Sequence, residues 1–230
     1  APDSDFNELA RSLAQEGIKS ELRSDDIPGT AKLLAFKDDK GTTIEVFSQW
    51  DYIAPNQQVV GIGPIKLGHC AFVVPDVQQT CAFYERVLGF KVSDWNGDFF
   101  VFMRCNPDHH GIALVGGAQG RSTQRELHHL AFELGTLDEV FRARRRLQEC
   151  GAKIVFEGRR RAGVQIAVEF QDPDGHNLEI YWGIDQIGTE GIARPAFRWR
   201  GGKTLEEAVA NPPRGQTPVL HDRSLLAGNR

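Results

Sequence analysis

The 230-residue chain has only four cysteines and one methionine, and its acidic excess is small. No window reaches the roughly 18 to 20 apolar residues that a membrane-spanning helix needs, so no membrane partner is expected. The opening Ala1-Pro2-Asp3-Ser4-Asp5 has neither the basic nor the apolar stretch of a secretory leader. It also lacks an initiating methionine, which points to a processed, trimmed or partial chain. Cys70, Cys81, Cys105 and Cys150 form no CxxC pair. Free thiols in a reducing, cytoplasmic setting are therefore expected rather than a disulfide frame. The net charge of −4 gives no electrostatic case for nucleic acid or an anionic membrane surface. Arg142, Arg144, Arg145 and Arg146 read as the solvated face of a helix. What remains is 40 % apolar and 25 % charged, ordinary for a globular protein of one or two domains with a real core.

Periodicity predicts an α+β chain. Phe6, Leu9, Ala10, Leu13 and Ala14 have helical spacing up to the terminator Gly17. Strands follow at Ile18 to Leu22, Ala31 to Phe36 and Thr42 to Phe47. Tyr52 to Pro64, rich in Pro and Gly, reads as a linker. A second unit runs strand Leu67 to Val74, helix Val77 to Val87, then strands Phe90 to Asp94, Phe99 to Arg104 and Gly111 to Val115. Gly116 to Gly120 is a turn. A third unit repeats that order: strand Leu127 to Leu134, a helix opened by a Thr136/Glu139 capping box, then strands Lys153 to Phe156, Val164 to Gln171 and Asn177 to Trp182. The repeat is about 60 residues long, complete twice and partial once. Its two complete copies predict tandem βαβββ modules forming a cupped mixed sheet with the helices outside. Three parts result: residues 1–60, a partial vestigial module and linker; 61–185, paired modules; and 186–230, an extended tail with a short helix at Thr204 to Ala210. The exposed edges of the partial module predict a homo-oligomer.

The repeat places chemistry as well as structure. Each complete copy opens with a histidine-led apolar strand, Gly68-His69-Cys70-Ala71-Phe72 and His128-His129-Leu130-Ala131-Phe132. Side chains alternate along a strand. With the Phe72 and Leu130/Phe132 faces turned to the helices, His69 and His129 face the open side. On the last strand Leu178, Ile180 and Trp182 go to the helix, so Glu179 and Tyr181 go to the open side, while His128 points to the helix side or to solvent. Two imidazoles and one carboxylate converging on one ion, with other positions free, are the ligand set of non-haem Fe(II) oxygenases.

Residues 61–184 resemble the vicinal-oxygen-chelate superfamily, and within it the type I extradiol ring-cleavage dioxygenases. The segments that carry the likeness are Leu67-Gly68-His69, Ala82 to Phe90, His128 to Phe132, and Asp172-Pro173-Asp174-Gly175-His176-Asn177-Leu178-Glu179. The resemblance implies His69, His129 and Glu179 as ligands of Fe(II), with Mn(II) as the other candidate, and an aromatic diol and O2 as substrates. It implies His110 as an acid–base group beside the metal, for which an ordinary imidazole pKa near 6.5 is suited. It also implies that an N-terminal module is missing, with Glu45 a relic of the ligand position in the vestigial half. Leu114 stands where a fourth, carboxylate ligand of the glyoxalase I type would come, so that site type is not expected.

The chain departs from the dioxygenase signature at two places, where Arg160 replaces a histidine and Glu169 a tyrosine. Arg160 is a candidate for holding a substrate carboxylate or phenolate, with Tyr181 as a second substrate contact, and Glu169 for serving as a base. An altered or degenerate site is the alternative. The functions implied are an Fe(II) extradiol dioxygenase, another metal-dependent transferase or isomerase of the superfamily, or a metal-free binding module of the bleomycin-resistance kind.

Overall fold

The computed structural model describes residues 5–51, 61–116, 126–187 and 204–211. The turn predicted after Gly116, most of the linker and most of the tail lie outside these residues. Among them no helix is long and apolar enough to cross a membrane. The chain divides into two compact units. One holds the residues up to 59 together with Gln78–Gly89, and the other holds Val60–Val77 and everything from Phe90 onward.

In the first unit, helix α1 (Phe6–Gln15) starts because Asp5 accepts hydrogen bonds from the N–H groups of Asn7 and Glu8, at 2.8 and 3.3 Å. Its apolar stripe buries Leu13. Strands β1 (Ser20–Ile27), β2 (Thr30–Lys37) and β3 (Thr43–Phe47) form an antiparallel sheet in that order. β1 runs past the predicted Leu22 through an irregularity between Ser24 and Ile27, where Asp25 takes a positive φ of 54°. Helix α2 (Val77–Leu88) contributes a buried polar knot to this unit. The Tyr84 hydroxyl lies 3.0 Å from Lys40 Nζ, and Thr80 donates to Asp39 at 2.9 Å. Glu45 is exposed and its nearest cation is Arg23, 3.6 Å away.

The second unit is built on one eight-stranded sheet. Its strands are β4 (Lys66–Val74), β5 (Lys91–Asn96), β6 (Phe100–Arg104), β7 (Ile112–Gly116), β8 (Glu126–Glu133), β9 (Ile154–Arg159), β10 (Ile166–Gln171) and β11 (Asn177–Trp182). They lie in the order β5-β6-β7-β4-β8-β11-β10-β9. That order reads the same from either edge. β4 and β8 pair antiparallel at the centre, and each has the last strand of its own module, β7 or β11, parallel on its other side. The paired βαβββ modules expected from the repeat are thus present in the sheet. Helix α3 (Leu137–Glu149) begins in the expected Thr136/Glu139 capping box, a feature that stabilises a helix by about 1 kcal/mol. Its Val140, Ala143 and Leu147 pack with Ile166, Val168 and Ile180. Each large aliphatic buried there contributes on the order of 1.5–3 kcal/mol.

The short helix expected in the tail is α4 (Leu205–Ala210), and it packs into this core. Leu205 and Ala208 are fully buried in the same cluster. Arg159 Nη2 donates to the Ala208 carbonyl at 2.9 Å, and Arg144 pairs with Glu206 at 2.7 Å. All four cysteines are free thiols.

Two β-bulges interrupt the central β4–β8 pairing. The partners run Leu67↔Phe132, then His69↔Ala131, which makes Gly68 the extra residue of one bulge; further along they run Ala71↔His129, then Phe72↔Leu127, which makes His128 the extra residue of the other. The extra residue precedes the motif histidine in both modules, so the bulges obey the same internal symmetry as the sheet.

Candidate metal centre

His69 on β4 and His129 on β8 are diagonal neighbours on one face. Each stands opposite a fully buried alanine, Ala131 and Ala71 respectively, whose small side chain leaves room for the ring. Ala131 in turn pairs with Glu179 on β11. The three side chains meet: the two histidine Nε2 atoms are 3.3 Å apart, and Glu179 Oε1 lies 3.8 Å from His69 Nε2. Their candidate ligand atoms all fall within 4.8 Å of one another, and all three residues are buried. Ligands each about 2.1 Å from a shared ion lie at most about 4.2 Å apart, so both separations suit a single cation. Such a donor set fits a divalent first-row metal.

The electrostatics keep the three groups ready to bind. Burial lowers the pKa of His69 to about 3, with Glu179 only partly offsetting it. Burial likewise lowers His129, again against the pull of Glu179. Burial alone would raise Glu179, but the Arg160 guanidinium beside it brings it below the usual carboxylate range. Two neutral imidazoles and one carboxylate result.

The bulges also correct the strand-parity argument. His128 had been expected to face the helix or solvent, yet it lines the cavity beside His129. As the extra residue of a bulge it escapes the alternation that governs its neighbours. Its Nδ1 lies 2.7 Å from Nδ1 of His129. With His129 Nε2 turned to His69, this contact holds the ring by its other nitrogen, as metal-ligating histidines generally are. His69 Nδ1, by contrast, is buried without a hydrogen-bond partner among the described residues. The register moves the fourth-ligand position as well. Ala71 pairs with Ala113 as Ala131 pairs with Glu179, so the symmetry mate of the glutamate is Ala113, not Leu114. The conclusion stands, because neither is a ligand.

Tyr181 departs from its expected place on the substrate side. It is fully buried behind His69, ring centroids 5.3 Å apart, and is not among the cavity-lining residues. The bulged Gly68 makes this possible. A Cβ there would stand 1.7 Å from the Tyr181 hydroxyl. Burial first, then the carboxylates of Glu133 and Asp108, raise the Tyr181 pKa and keep the phenol protonated. Those two carboxylates bracket Lys66, whose Nζ is 2.5 Å from Asp108 and 3.1 Å from Glu133.

His110 is fully buried with its ring centroid 4.3 Å from that of His69. Its Nδ1 lies 3.0 Å from Nδ1 of His109, which leaves Nε2 for other partners. Burial, then the neighbouring histidines, hold its pKa well below 6.5, so the ordinary imidazole value does not apply and the group rests as a base.

Arg160 and Glu169 both line the cavity, but not as separate groups. Arg160 Nε donates to Glu179 Oε2 at 2.8 Å and Nη2 to the same oxygen at 2.5 Å, while Nη2 also bonds Glu169. The two replacements therefore form one ion-paired unit on Glu179. Nothing local to either residue records the pairing of β9, β10 and β11 that brings them together.

The cavity above the triad has a volume of about 220 Å³. Phe100 and Phe102, stacked with centroids 4.5 Å apart, form an apolar wall with Ala113. Arg160, Glu169, Gln165 and His128 give the polar side, and Asn96 and Arg161 also line the cavity. Phe100, Phe102 and Arg161 combine an aromatic platform with polar groups, as small-ligand sites do.

The three buried histidines make the metal-free protein acid-sensitive. Each is lowered in the fold relative to about 6.5 in the unfolded chain. Below pH 6.5 the unfolded state therefore binds more protons, and stability falls as pH falls. The slope approaches about 1.4 kcal/mol per pH unit for each histidine. Urea midpoints of metal-free protein at pH 7.5, 6.5, 5.5 and 4.5 should decline steadily from the second value on; a flat series would contradict the neutral, buried state of these rings.

The chain and its fold resemble those of known proteins. The family model described as Glyoxalase/Bleomycin resistance protein/Dioxygenase superfamily matches residues 66–180. Biphenyl-2,3-diol 1,2-dioxygenase of Paraburkholderia xenovorans is 28 % identical over 193 residues, covering 76 % of this chain and 63 % of the relative. Metallothiol transferase FosB of Bacillus licheniformis is 28 % identical over 134 residues, 56 % of this chain and 79 % of the relative. The crystal structure of the Mn(II)-bound glyoxalase from Novosphingobium aromaticivorans superposes with a TM-score of 0.72 at 26 % identity, covering 94 % of this chain and 73 % of that one. The chain spans just under two thirds of the length of the dioxygenase relative.

Proposed function

Because the chain belongs to the glyoxalase, bleomycin resistance protein and dioxygenase superfamily, we propose that it is an extradiol dioxygenase, inserting both atoms of O2 into the ring of a catecholic or polyhydroxylated aromatic compound. The observation that carries the reading is the buried convergence of His69, His129 and Glu179 under a cavity with a phenylalanine wall. These three residues would hold Fe(II), or Mn(II). When bound, the ion supplies Lewis acidity that lowers the pKa of a diol hydroxyl, and a redox centre for O2. Phe100 and Phe102 receive the flat ring. His110, kept unprotonated by burial, takes the hydroxyl proton at Nε2, since Nδ1 is engaged by His109. His128 fixes the orientation of His129, and the phenylalanine wall excludes water.

The test is anaerobic loading with Fe(II) or Mn(II), followed by O2 and a panel of catechols, watching for the yellow ring-opened product. Stoichiometric metal with no product across the panel would sink the reading. His110→Ala should keep the metal, because His110 is not a ligand, and lose about 100-fold or more in turnover. Full turnover in that variant would remove its acid–base role.

A second reading, a metal-dependent transferase of the same superfamily, draws support from the replacement of the dioxygenase signature's histidine and tyrosine by Arg160 and Glu169, and from the transferase relative. The intact triad weighs against a metal-free binding module.

A further inference from the structure

We propose that Arg160, clamped by Glu169, is a positioning residue that limits Glu179 to a single metal-facing oxygen and thereby sets how tightly the metal is held. The inference rests on the metal-site reading above.

Glu169 and Glu179 stand directly opposite each other on β10 and β11, and both are buried. Like charges directly opposite on a ladder repel, and removal from water strengthens the repulsion. Arg160 is the cation between them. Its guanidinium lies over the Phe156 ring, 3.9 Å from the centroid. Its backbone is equally constrained. The Arg160 N–H donates to the Gln165 carbonyl at 2.9 Å, closing the β9–β10 turn, and the Arg159 side chain donates to the Val164 carbonyl at 2.7 Å. The fork is thus pre-aimed before any ion arrives.

Both of its contacts to Glu179 fall on Oε2. Oε1 is the oxygen that faces His69 Nε2 at 3.8 Å and Gln165 Nε2 at 3.5 Å. A carboxylate tied in this way offers an ion one oxygen. Freed, it can offer two and occupy a coordination position that substrates need. Charge adds to geometry. Arg160, Glu169 and Glu179 together carry −1, which becomes −2 in Arg160→Gln, 0 in Glu169→Gln and −1 again in the double variant. In a buried site each unit weighs heavily on a divalent cation.

The experiment is Mn(II) binding to metal-free protein by chelator competition, in the wild type and these three variants. Arg160→Gln should bind Mn(II) about tenfold or more tighter, Glu169→Gln about tenfold or more weaker, and the double variant, with the wild-type charge but a freed Glu179, tighter than wild type and weaker than Arg160→Gln. Loaded with Fe(II), Arg160→Gln should turn over more slowly although it holds metal more firmly. A merely structural arginine would lower both together. Co(II) loading adds a spectroscopic check, the visible band of Arg160→Gln weakening as the coordination number rises. Mn(II) binding in Arg160→Gln that is equal to or weaker than wild type overturns the proposal. Should that variant fail to fold, unchanged affinity in Glu169→Gln overturns it instead. Ring cleavage by the wild type with the affinity order absent defeats only this inference. The affinity order with no ring cleavage defeats only the dioxygenase reading.

Discussion

Replacing Glu179 with alanine is expected to strip the protein of stoichiometric divalent metal and to abolish turnover with it. Glu179 is the one anion in the triad, since burial keeps His69 and His129 neutral. A unit charge about 4 Å away interacts by roughly 4 kcal/mol with another at an effective dielectric near 20, and a divalent ion doubles that. Losing it therefore costs far more than a hundredfold in affinity. The variant also leaves Arg160 with Glu169 as its remaining carboxylate partner, so the buried trio falls from −1 to 0 and repels a cation relative to the wild type. Glu179→Gln keeps the shape and removes the charge, and should lose metal almost as completely. His69→Ala and His129→Ala each remove a neutral donor and should follow in the same direction. Equilibrium dialysis against Fe(II) and Mn(II), read as metal per protein, measures the effect without reference to any substrate. A Glu179→Ala protein that holds metal with wild-type affinity would remove the site.

The second large effect comes from a residue with no side chain. Gly68→Ala should destabilise the fold by about 1–3 kcal/mol, the range of overpacking in a closed core. The added Cβ would meet three Tyr181 atoms at 1.7, 2.6 and 2.9 Å. Tyr181 has nowhere to retreat, because it is fully buried between His69 and the Lys66–Asp108–Glu133 cluster. Either the bulge in β4 shifts or the phenol does, and each moves the strand that carries His69. Metal affinity should therefore drop together with the urea midpoint. Tyr181→Phe in the same background removes only the 1.7 Å contact and leaves the ring-carbon contacts, so it should recover part of the loss. A Gly68→Ala protein with unchanged midpoint and unchanged metal affinity would show that the close approach does not exist in solution.

Much of this protein is local in origin. The 3.6-residue and two-residue periods placed the helices and nearly all the strands within a few residues of their observed bounds. The repeat announced the paired modules, because each copy carries the same histidine-led strand and the same punctuation by Gly. Alternation along β8 and β11 was enough to put His129 and Glu179 on one face.

What the residues alone could not decide was register. β4 and β8 are about sixty residues apart in the chain, and a bulge is a property of the pair, not of either strand. Only the folded sheet shows that Gly68 and His128 are the extra residues of the two bulges. That one fact admits His128 to the cavity and lets Tyr181 slip behind His69. In the same way, the opposition of Glu169 and Glu179 turns Arg160 from a free cation into the bridge between them. The sequence by itself determined the order of helices and strands and nominated His69, His129 and Glu179 as candidate ligands, since periodicity and repeat are written residue by residue. Tertiary structure decided which of them touch, since pairing across the sheet is set by the packing of strands that are distant in the chain.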